Sequence, residues 1–391
     1  MNNSINLQNI SNSYFFKLND HFRIELFQKC LKYSGKWKNL AKRVGYSPER
    51  LRSIKNGKCI GKGKKIEVVL ISKPLLLKLI KISKIPFKEV EKHILEIRKN
   101  SAAKPIPIKL PIKSSIFLAS VIGNSLGDGS LRANYFIYGN TELALVKKLE
   151  NSINHTFNCK INSKLVKITR PGKEFYTMVY PGTISDILNK FGAPLNSKLT
   201  TEFDVPKWIR YGNKDIKSAF VRSLFDDESH VSRRDKNIVI NMSKEKKLEK
   251  SLKRFLNSIR SIIKDQGIEP NKVTKFREYS CSKGEKRSTL AFTISGKDNL
   301  IKYKNVIGFN HPKKIKDINT VLNSYKLICY KPDKVYDKIV TFLSIGSKTT
   351  EEVSNHINRD LETARIHLNL LFKQEKINKQ SRGPTVWSLG G

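Results

Sequence analysis

Two short segments, 100 residues apart, carry one pattern, and that recurrence constrains the fold more than any other feature of the chain. The first is Leu118-Ala119-Ser120-Val121-Ile122-Gly123-Asn124-Ser125-Leu126-Gly127-Asp128-Gly129-Ser130-Leu131. The second is Phe220-Val221-Arg222-Ser223-Leu224-Phe225-Asp226-Asp227-Glu228-Ser229-His230-Val231. Each reads as an apolar helix that ends in an acidic residue followed by a small one. Gly123 and Gly127 are four residues apart and share one helix face. A face without side chains lets a second helix backbone approach closely, and Ser223 holds the corresponding place in the second copy. Packed side by side, two such helices bring Asp128 and Glu228 together at their C-terminal ends.

That placement is unfavourable without a cation. A carboxylate at a helix C-terminus meets the negative end of the macrodipole, and two neighbouring carboxylates repel. A divalent metal reverses both penalties and supplies Lewis acidity suited to phosphodiester hydrolysis. The surrounding charge agrees. The 391 residues include 75 Lys and Arg against 34 Asp and Glu, a formal charge of +41. Self-repulsion on that scale calls for a polyanionic partner, nucleic acid before an anionic membrane surface. Residues 1–113 carry +19, residues 114–330 another +19, and the last 61 residues only +3.

Other classes are excluded. No run of 18 apolar residues exists, so no membrane span is predicted. Residues 1–16 lack the layout of a signal peptide. Five scattered cysteines without a CxxC pair give neither a zinc site nor a disulfide framework, which implies a reduced, cytoplasmic and nucleoid-associated protein. His230 stands alone after the second motif, and nothing resembles a Ser-His-Asp triad or a P-loop.

Both motif segments resemble the signature helices of LAGLIDADG homing endonucleases of the single-chain, two-repeat type. Asp204-Val205-Pro206-Lys207-Trp208-Ile209 resembles that family's lead-in to its second repeat. The segments 294–300 and 307–314 resemble its closing strand and helix. The resemblance covers roughly residues 114–326. It implies an α+β fold with a pseudo-symmetric (αββαββα)2 core, each four-stranded sheet forming half of a saddle over duplex DNA. It also implies Mg²⁺, with Mn²⁺ as a substitute, held by Asp128 and Glu228 as the metal-binding acids. The family closes its motif in Gly, whereas the second copy here closes in Ser229. The family also carries a lysine late in each repeat. Lys297 matches in the second repeat, but the corresponding stretch of the first, residues 180–185, has none, which implies slow cleavage, nicking of one strand or loss of cutting.

The period of two in Leu290, Phe292 and Ile294 predicts a half-buried strand. Lys275, Arg277 and Tyr279 are expected on one face of another strand, suited to phosphates and bases. Lys164, Lys167, Arg170, Lys173 and Tyr176 are assigned to a hairpin turning near Pro171-Gly172, and Arg233, Arg234 and Lys236 to the loop after the second acid.

Three further regions complete a four-part division. Residues 1–100 contain Leu40 to Lys55, read as helix, turn, helix, with Gly45 ending the first helix and Ser47-Pro48 opening the second. This is either a helix-turn-helix presenting Arg50, Arg52 and Lys55 to DNA or a plain bundle with a basic face. The GKGKK stretch at residues 61–65 suits phosphate contact. Residues 101–113 read as an extended Pro/Lys-rich linker. After the core (residues 114–330, with repeats dividing near 205), residues 331–391 resemble a winged helix-turn-helix, either a DNA reader or a protein-contact module. The expected activity is site-specific cleavage of double-stranded DNA by a monomer. The alternatives are a DNA-binding regulator that keeps the fold without cutting, and an RNA-binding intron maturase. Intein borders are not visible, so a free-standing or intron-encoded protein is expected.

Overall fold

The structure is a computed structural model that describes residues 4–57, 69–161, 163–170, 173–280, 284–325, 332–380 and 385–390. It forms two compact units, Met1–Lys316 and Asp317–Gly391.

The first unit opens with β1 (Ser4–Ile5) and β2 (Phe15–Leu18), followed by α1 (Asp20–Ser34), α2 (Trp37–Val44) and α3 (Pro48–Asn56). The local chemistry of the α2–α3 turn follows from its sequence. Gly45 ends α2 at φ 75, a left-handed conformation that costs glycine nothing. The Ser47 side chain accepts from the Arg50 amide at 3.2 Å, and Pro48 opens α3, where no amide donor is needed. Leu40, Ala41, Val44 and Leu51 are buried beneath this pair, whereas Ile24 on α1 is exposed. Then come β3 (Ile71–Ser72), α4 (Lys73–Ser83), α5 (Phe87–Lys92) and β4 (Ile94–Arg98). Strands pair in the order β3-β2-β4, so the region is not purely helical as its sequence suggested. Residues 61–65 lie outside the described residues.

Residues 101–113 are extended but not free. Ile106, Ile108, Leu110 and Ile112 are all buried, every second residue turning inward. Ile106 bridges Ile97, and β5 (Ile112–Lys113) pairs with β1. The prolines that suggested a spacer alternate with apolar anchors, so the segment is bound along its length.

The double motif then unfolds as two copies of one plan. Copy one is α6 (Ile116–Leu126), β6 (Gly129–Leu131), β7 (Tyr135–Asn140), α7 (Leu143–Phe157), β8 (Lys164–Arg170), β9 (Lys173–Pro181) and α8 (Gly182–Lys190). After the short α9 (Lys207–Arg210), copy two is α10 (Lys214–Glu228), β10 (Ser229–Ser232), β11 (Asn237–Glu245), α11 (Glu249–Lys264), β12 (Thr274–Ser280), β13 (Lys286–Ser295) and α12 (Lys297–Val306). The sheets run β6-β7-β9-β8 and β10-β11-β13-β12, the same order in both copies. Leu290, Phe292 and Ile294 face inward on β13, and Thr289 and Ala291 on the other face are buried as well, because β13 is an inner strand. The chain continues into α13 (Pro312–Asn323), within which the two units divide.

The second unit holds α14 (Pro332–Leu343), β14 (Lys348–Thr349), α15 (Thr350–His356), α16 (Leu361–Lys373), β15 (Ile377–Gln380) and β16 (Val386–Leu389). Thr349 and Glu352 close a reciprocal cap at the start of α15. Ala364, Leu368 and Leu371 of α16 pack with Trp387 of β16 in its core. Residues 381–384 lie outside the described residues.

The contact between α6 and α10 holds the two copies together. A Cβ on Gly123 would sit 2.6 Å from the Phe220 carbonyl oxygen, and the Ser120 and Ser223 hydroxyls bond at 2.6 Å beside it. Backbone cannot yield as a flexible side chain can, so Gly123→Ala should destabilise the first unit by about 1–3 kcal/mol, as overpacking does. Chemical denaturation checks this, and an unchanged midpoint would mean the two helices are not in backbone contact.

Candidate functional site

Asp128 and Glu228 stand at neighbouring ends of α6 and α10, but their local supports differ. Glu228 is the last residue of α10, whereas Asp128 lies past Gly127, the residue that caps α6. The Asp128 carboxylate accepts from the Asn140 amide at 2.9 Å. A third carboxylate stands beside Asp128. Asp227 accepts from the Tyr138 hydroxyl at 2.7 Å, from the Asn124 amide at 3.1 Å and from the backbone N–H of Asp128 at 3.3 Å.

Two lysines answer the electrostatic problem of acids at helix C-termini. Lys198 donates to the carbonyls of Leu126 and Gly127, and Lys314 to those of Phe225 and Asp226 (2.8 and 2.6 Å). Each ammonium satisfies orphan carbonyls and opposes the negative end of its helix. Burial lowers the pKa of both lysines, opposed by the nearby carboxylates. Asp226 is fully committed elsewhere. It accepts from the backbone and side chain of Asn310 and from the His311 amide, which moors α10 to the start of α13.

The carboxylates respond to burial in one direction. Asp128 is exposed on the cleft side, yet its surroundings displace enough water to push its carboxyl upward, against the pull of Lys198 and Lys314. Burial pushes Asp227 well above the usual carboxylate range, and the Asp128 charge adds to this. Burial raises Glu228 to about 7, with Lys198 opposing and Asp128 reinforcing.

Two clefts open on these ends. One, of about 480 Å³, holds Asp128 and Asp227 with Lys314, His311 and residues Gly139 and Thr177 of the first sheet. The other, of about 390 Å³, holds Glu228 with Lys198, Ser130, Arg132 and residues Asn241 and Ser243 of the second sheet. Each cleft is composite. The first joins Asp128 of one repeat to Asp227 and Lys314 of the other, and the second joins Glu228 to Lys198 of the connector. Among the described residues no group of three or more His, Cys, Asp or Glu could hold a metal. The donor set is two carboxylates, which suits an ion that keeps waters and takes phosphate oxygens, as Mg²⁺ does, rather than a closed protein cage.

The lysines beside the acids are not those expected from the sequence. Lys297 opens α12 and lines neither cleft, nor does it figure among the charges that act on Asp128 or Glu228. Lys314 takes that place in the second repeat, inside the segment 307–314 already singled out. The stretch 180–185 indeed has no lysine, but the first repeat supplies Lys198 later, from the connector. That connector is tied to both copies, by Asn196 to Leu131 and by the Glu245 amide to Leu199.

The basic residues divide by face. Lys275 pairs with Leu290 and Arg277 with Thr289, because a bulge intervenes at Phe276. Arg277 and Tyr279 therefore share the outer face, while Lys275 turns to the helix side and bonds Glu278. On β8, Lys164 opposes Val179 and Lys167 opposes Tyr176, again on opposite faces. Lys167 pairs with Glu174. Arg170 ends β8, and its side chain lies outside the described residues, as does the turn at 171–172. Arg233 and Arg234 are exposed in the turn between β10 and β11. On α3, Arg50 and Arg52 are exposed over the rings of Tyr46 and Trp37, and Lys55 is half-buried.

No protein-family model matches the chain. Among curated proteins it is similar to the tRNA-splicing ligase RtcB of Pyrococcus furiosus, 26% identical over 286 residues, which is 69% of this chain and 28% of that protein. It is also similar to the replication factor C small subunit of Methanocaldococcus jannaschii, 26% identical over 224 residues, 51% of this chain and 11% of that protein. The chain thus spans less than a third of the length of these relatives. Among solved structures it is similar to the homing endonuclease I-DmoI in complex with DNA and Ca (14% identity, 52% of this chain, 97% of that chain, TM-score 0.36). It is likewise similar to the homing endonuclease I-WcaI bound to its DNA recognition sequence (12% identity, 52% and 86%, TM-score 0.33). Superpositions this loose carry no functional weight. No helix among the described residues is long and apolar enough to cross a membrane.

The raised Glu228 carboxyl has a measurable consequence. Its folded pKa of about 7 exceeds the ordinary 4.5, so the folded state holds a proton that the unfolded state has released between those values. Stability is full below pH 4.5 and is lost as pH rises through about 7, by up to about 3 kcal/mol for this group. In chelator-containing buffer the melting temperature should fall across that window, and Glu228→Gln should flatten the fall. A melting temperature that climbs there would contradict the burial of this carboxyl.

Proposed function

We propose that the chain is a site-specific, metal-dependent double-stranded DNA endonuclease of the homing type. The observation that carries this reading is the pair of composite clefts. One joins Asp128 and Asp227 to Lys314 and the other Glu228 to Lys198, at the shared ends of α6 and α10, each flanked by the outer face of a four-stranded sheet. Two such clefts related by a repeated fold match a substrate with two antiparallel strands, each needing its own hydrolytic centre.

Asp128 and Glu228 would hold Mg²⁺ or Mn²⁺. A bound divalent ion supplies Lewis acidity and a more acidic water for phosphodiester hydrolysis. The chain's own residues do the rest. Lys198 and Lys314 keep positive charge where a phosphate would lie, in the water-poor setting that strengthens it. The outer sheet faces bring Lys164 and Arg277 to the duplex, and Arg233 and Arg234 reach past their edge. The region of α2 and α3 adds a helix-turn-helix whose Arg50, Arg52 and Lys55 extend the bound site. The second unit, with three helices and a three-stranded sheet, is read as a winged helix whose partner is DNA or protein.

A tRNA ligase and a replication factor subunit have unrelated names, and each is matched over a minor part of its length. Neither name accounts for two acids at the end of a glycine-faced helix pair.

The test is incubation with plasmids carrying the chain's own flanking locus, with Mg²⁺ and with EDTA. Metal-dependent linearisation is expected. Asp128→Asn should abolish it while leaving the mobility shift within about twofold, and Lys198→Met and Lys314→Met should each slow it by about 100-fold, the scale of losing one electrostatic donor. Full cutting by Asp128→Asn would sink the assignment. A salt-sensitive shift without cutting would make the protein a DNA-binding regulator, and preference for structured RNA would make it a maturase.

A further inference from the structure

The two acids are not held alike, and the difference lies in Asp227. Glu228 closes α10 and is carried by the helix itself. Asp128 stands beyond the α6 cap, one residue before β6 begins, where neither a helix nor a sheet ladder fixes its amide. That amide donates instead to the Asp227 carboxylate of the other repeat, at 3.3 Å. The same carboxylate is anchored by Tyr138 on β7 and Asn124 on α6, so its orientation is set from two further elements. Space for it exists because Gly127 has no side chain, since a Cβ there would lie 2.5 Å from the Asp227 Cβ. The reverse contact does not exist. Gly127 holds the place in the first motif that Asp227 holds in the second, and glycine has no side-chain acceptor.

We propose that Asp227 is a positioning residue for the Asp128 cleft alone, which makes the two cleavage centres unequal and the cutting of the two strands separable. The idea rests on the endonuclease reading. A buried carboxylate beside two others is costly, and an alanine or glycine in its place would remove that cost. What it contributes in return is an acceptor, itself held by Tyr138 and Asn124, for the one acid whose amide secondary structure leaves unsupported. Misplacing a reacting group by an ångström can cost about 100-fold in rate.

The experiment compares wild type, Asp227→Ala and Asp227→Asn, the last keeping an oxygen that can accept from the Asp128 amide. Supercoiled target plasmid reports first-strand and second-strand cleavage separately. Asp227→Ala should slow one strand by about tenfold to 100-fold and accumulate nicked circles, with DNA affinity within about twofold of wild type. Asp227→Asn should stay within about threefold on both strands, since its oxygen still meets the amide. Equal slowing of both strands, or no slowing, would overturn the proposal, as would an asparagine variant as defective as alanine. A second readout needs no activity. Hydrogen exchange in a peptide spanning residues 124–132 should speed up at the Asp128 amide in Asp227→Ala and not in Asp227→Asn. If wild type cuts no DNA with any divalent ion, the nuclease reading fails. The exchange data then decide the clamp by themselves, and unchanged protection in Asp227→Ala refutes it.

Discussion

Everything at the site depends on two helix backbones being allowed to touch. At Gly123 the main chain of α6 meets the main chain of α10 with no side chain between them, and one step along, Ser120 and Ser223 share a hydrogen bond. Close approach along this seam makes the two C-terminal ends neighbours. It sets Asp128 and Glu228 within each other's field and fixes where the two sheets start, since β6 and β10 follow directly from those ends. A bulkier residue at the seam would move the acids, both clefts and both sheets together.

The cost of bringing acids to helix C-termini is met by residues from elsewhere in the chain. Lys198 and Lys314 each donate to two carbonyls at a helix end, so the negative pole is partly neutralised before any metal or phosphate arrives. Sequence reasoning left a metal and a phosphate as the main explanation for those acids in a chain of charge +41. The structure adds a protein-borne part, the buried Lys314 and the half-buried Lys198, both with lowered pKa, that oppose the helix ends and face the acids. The same burial that lowers the lysines raises the carboxylates and leaves Glu228 ready to titrate near neutrality.

Much of the plan was legible in the residues because it is written in local periodicity. The glycine spacing gives the seam, and Gly45 and Ser47-Pro48 the helix ends around the α2–α3 turn. Errors arose where a long-range contact overrode a local pattern. Residues 101–113 looked like a spacer because prolines and lysines alternate with isoleucines, yet those isoleucines find a partner surface on the N-terminal region. Lys275 was placed with Arg277 by strand alternation, and one bulge reversed it. Lys297, late in the second repeat, lines neither cleft, whereas Lys314, in the segment 307–314, lines the first. Lys198 had a weaker signal, six residues before the Asp204–Ile209 lead-in. Asp227 had none, because its partners Tyr138 and Asn124 lie about a hundred residues away in sequence.

The sequence by itself determined that two acid-tipped, small-faced helices recur and must pair, that the chain is strongly basic, and where many helix ends fall. These are consequences of side-chain size, charge and capping chemistry, which act over a few residues. Only the tertiary structure decided which lysines meet the acids, which basic side chains reach the outer sheet faces, and that one acid is clamped from the opposite repeat while the other is held by its own helix. Those outcomes depend on sheet register and on the path of the connector through residue 198. Neither is encoded in any short window, because both are settled by how two repeats pack against each other.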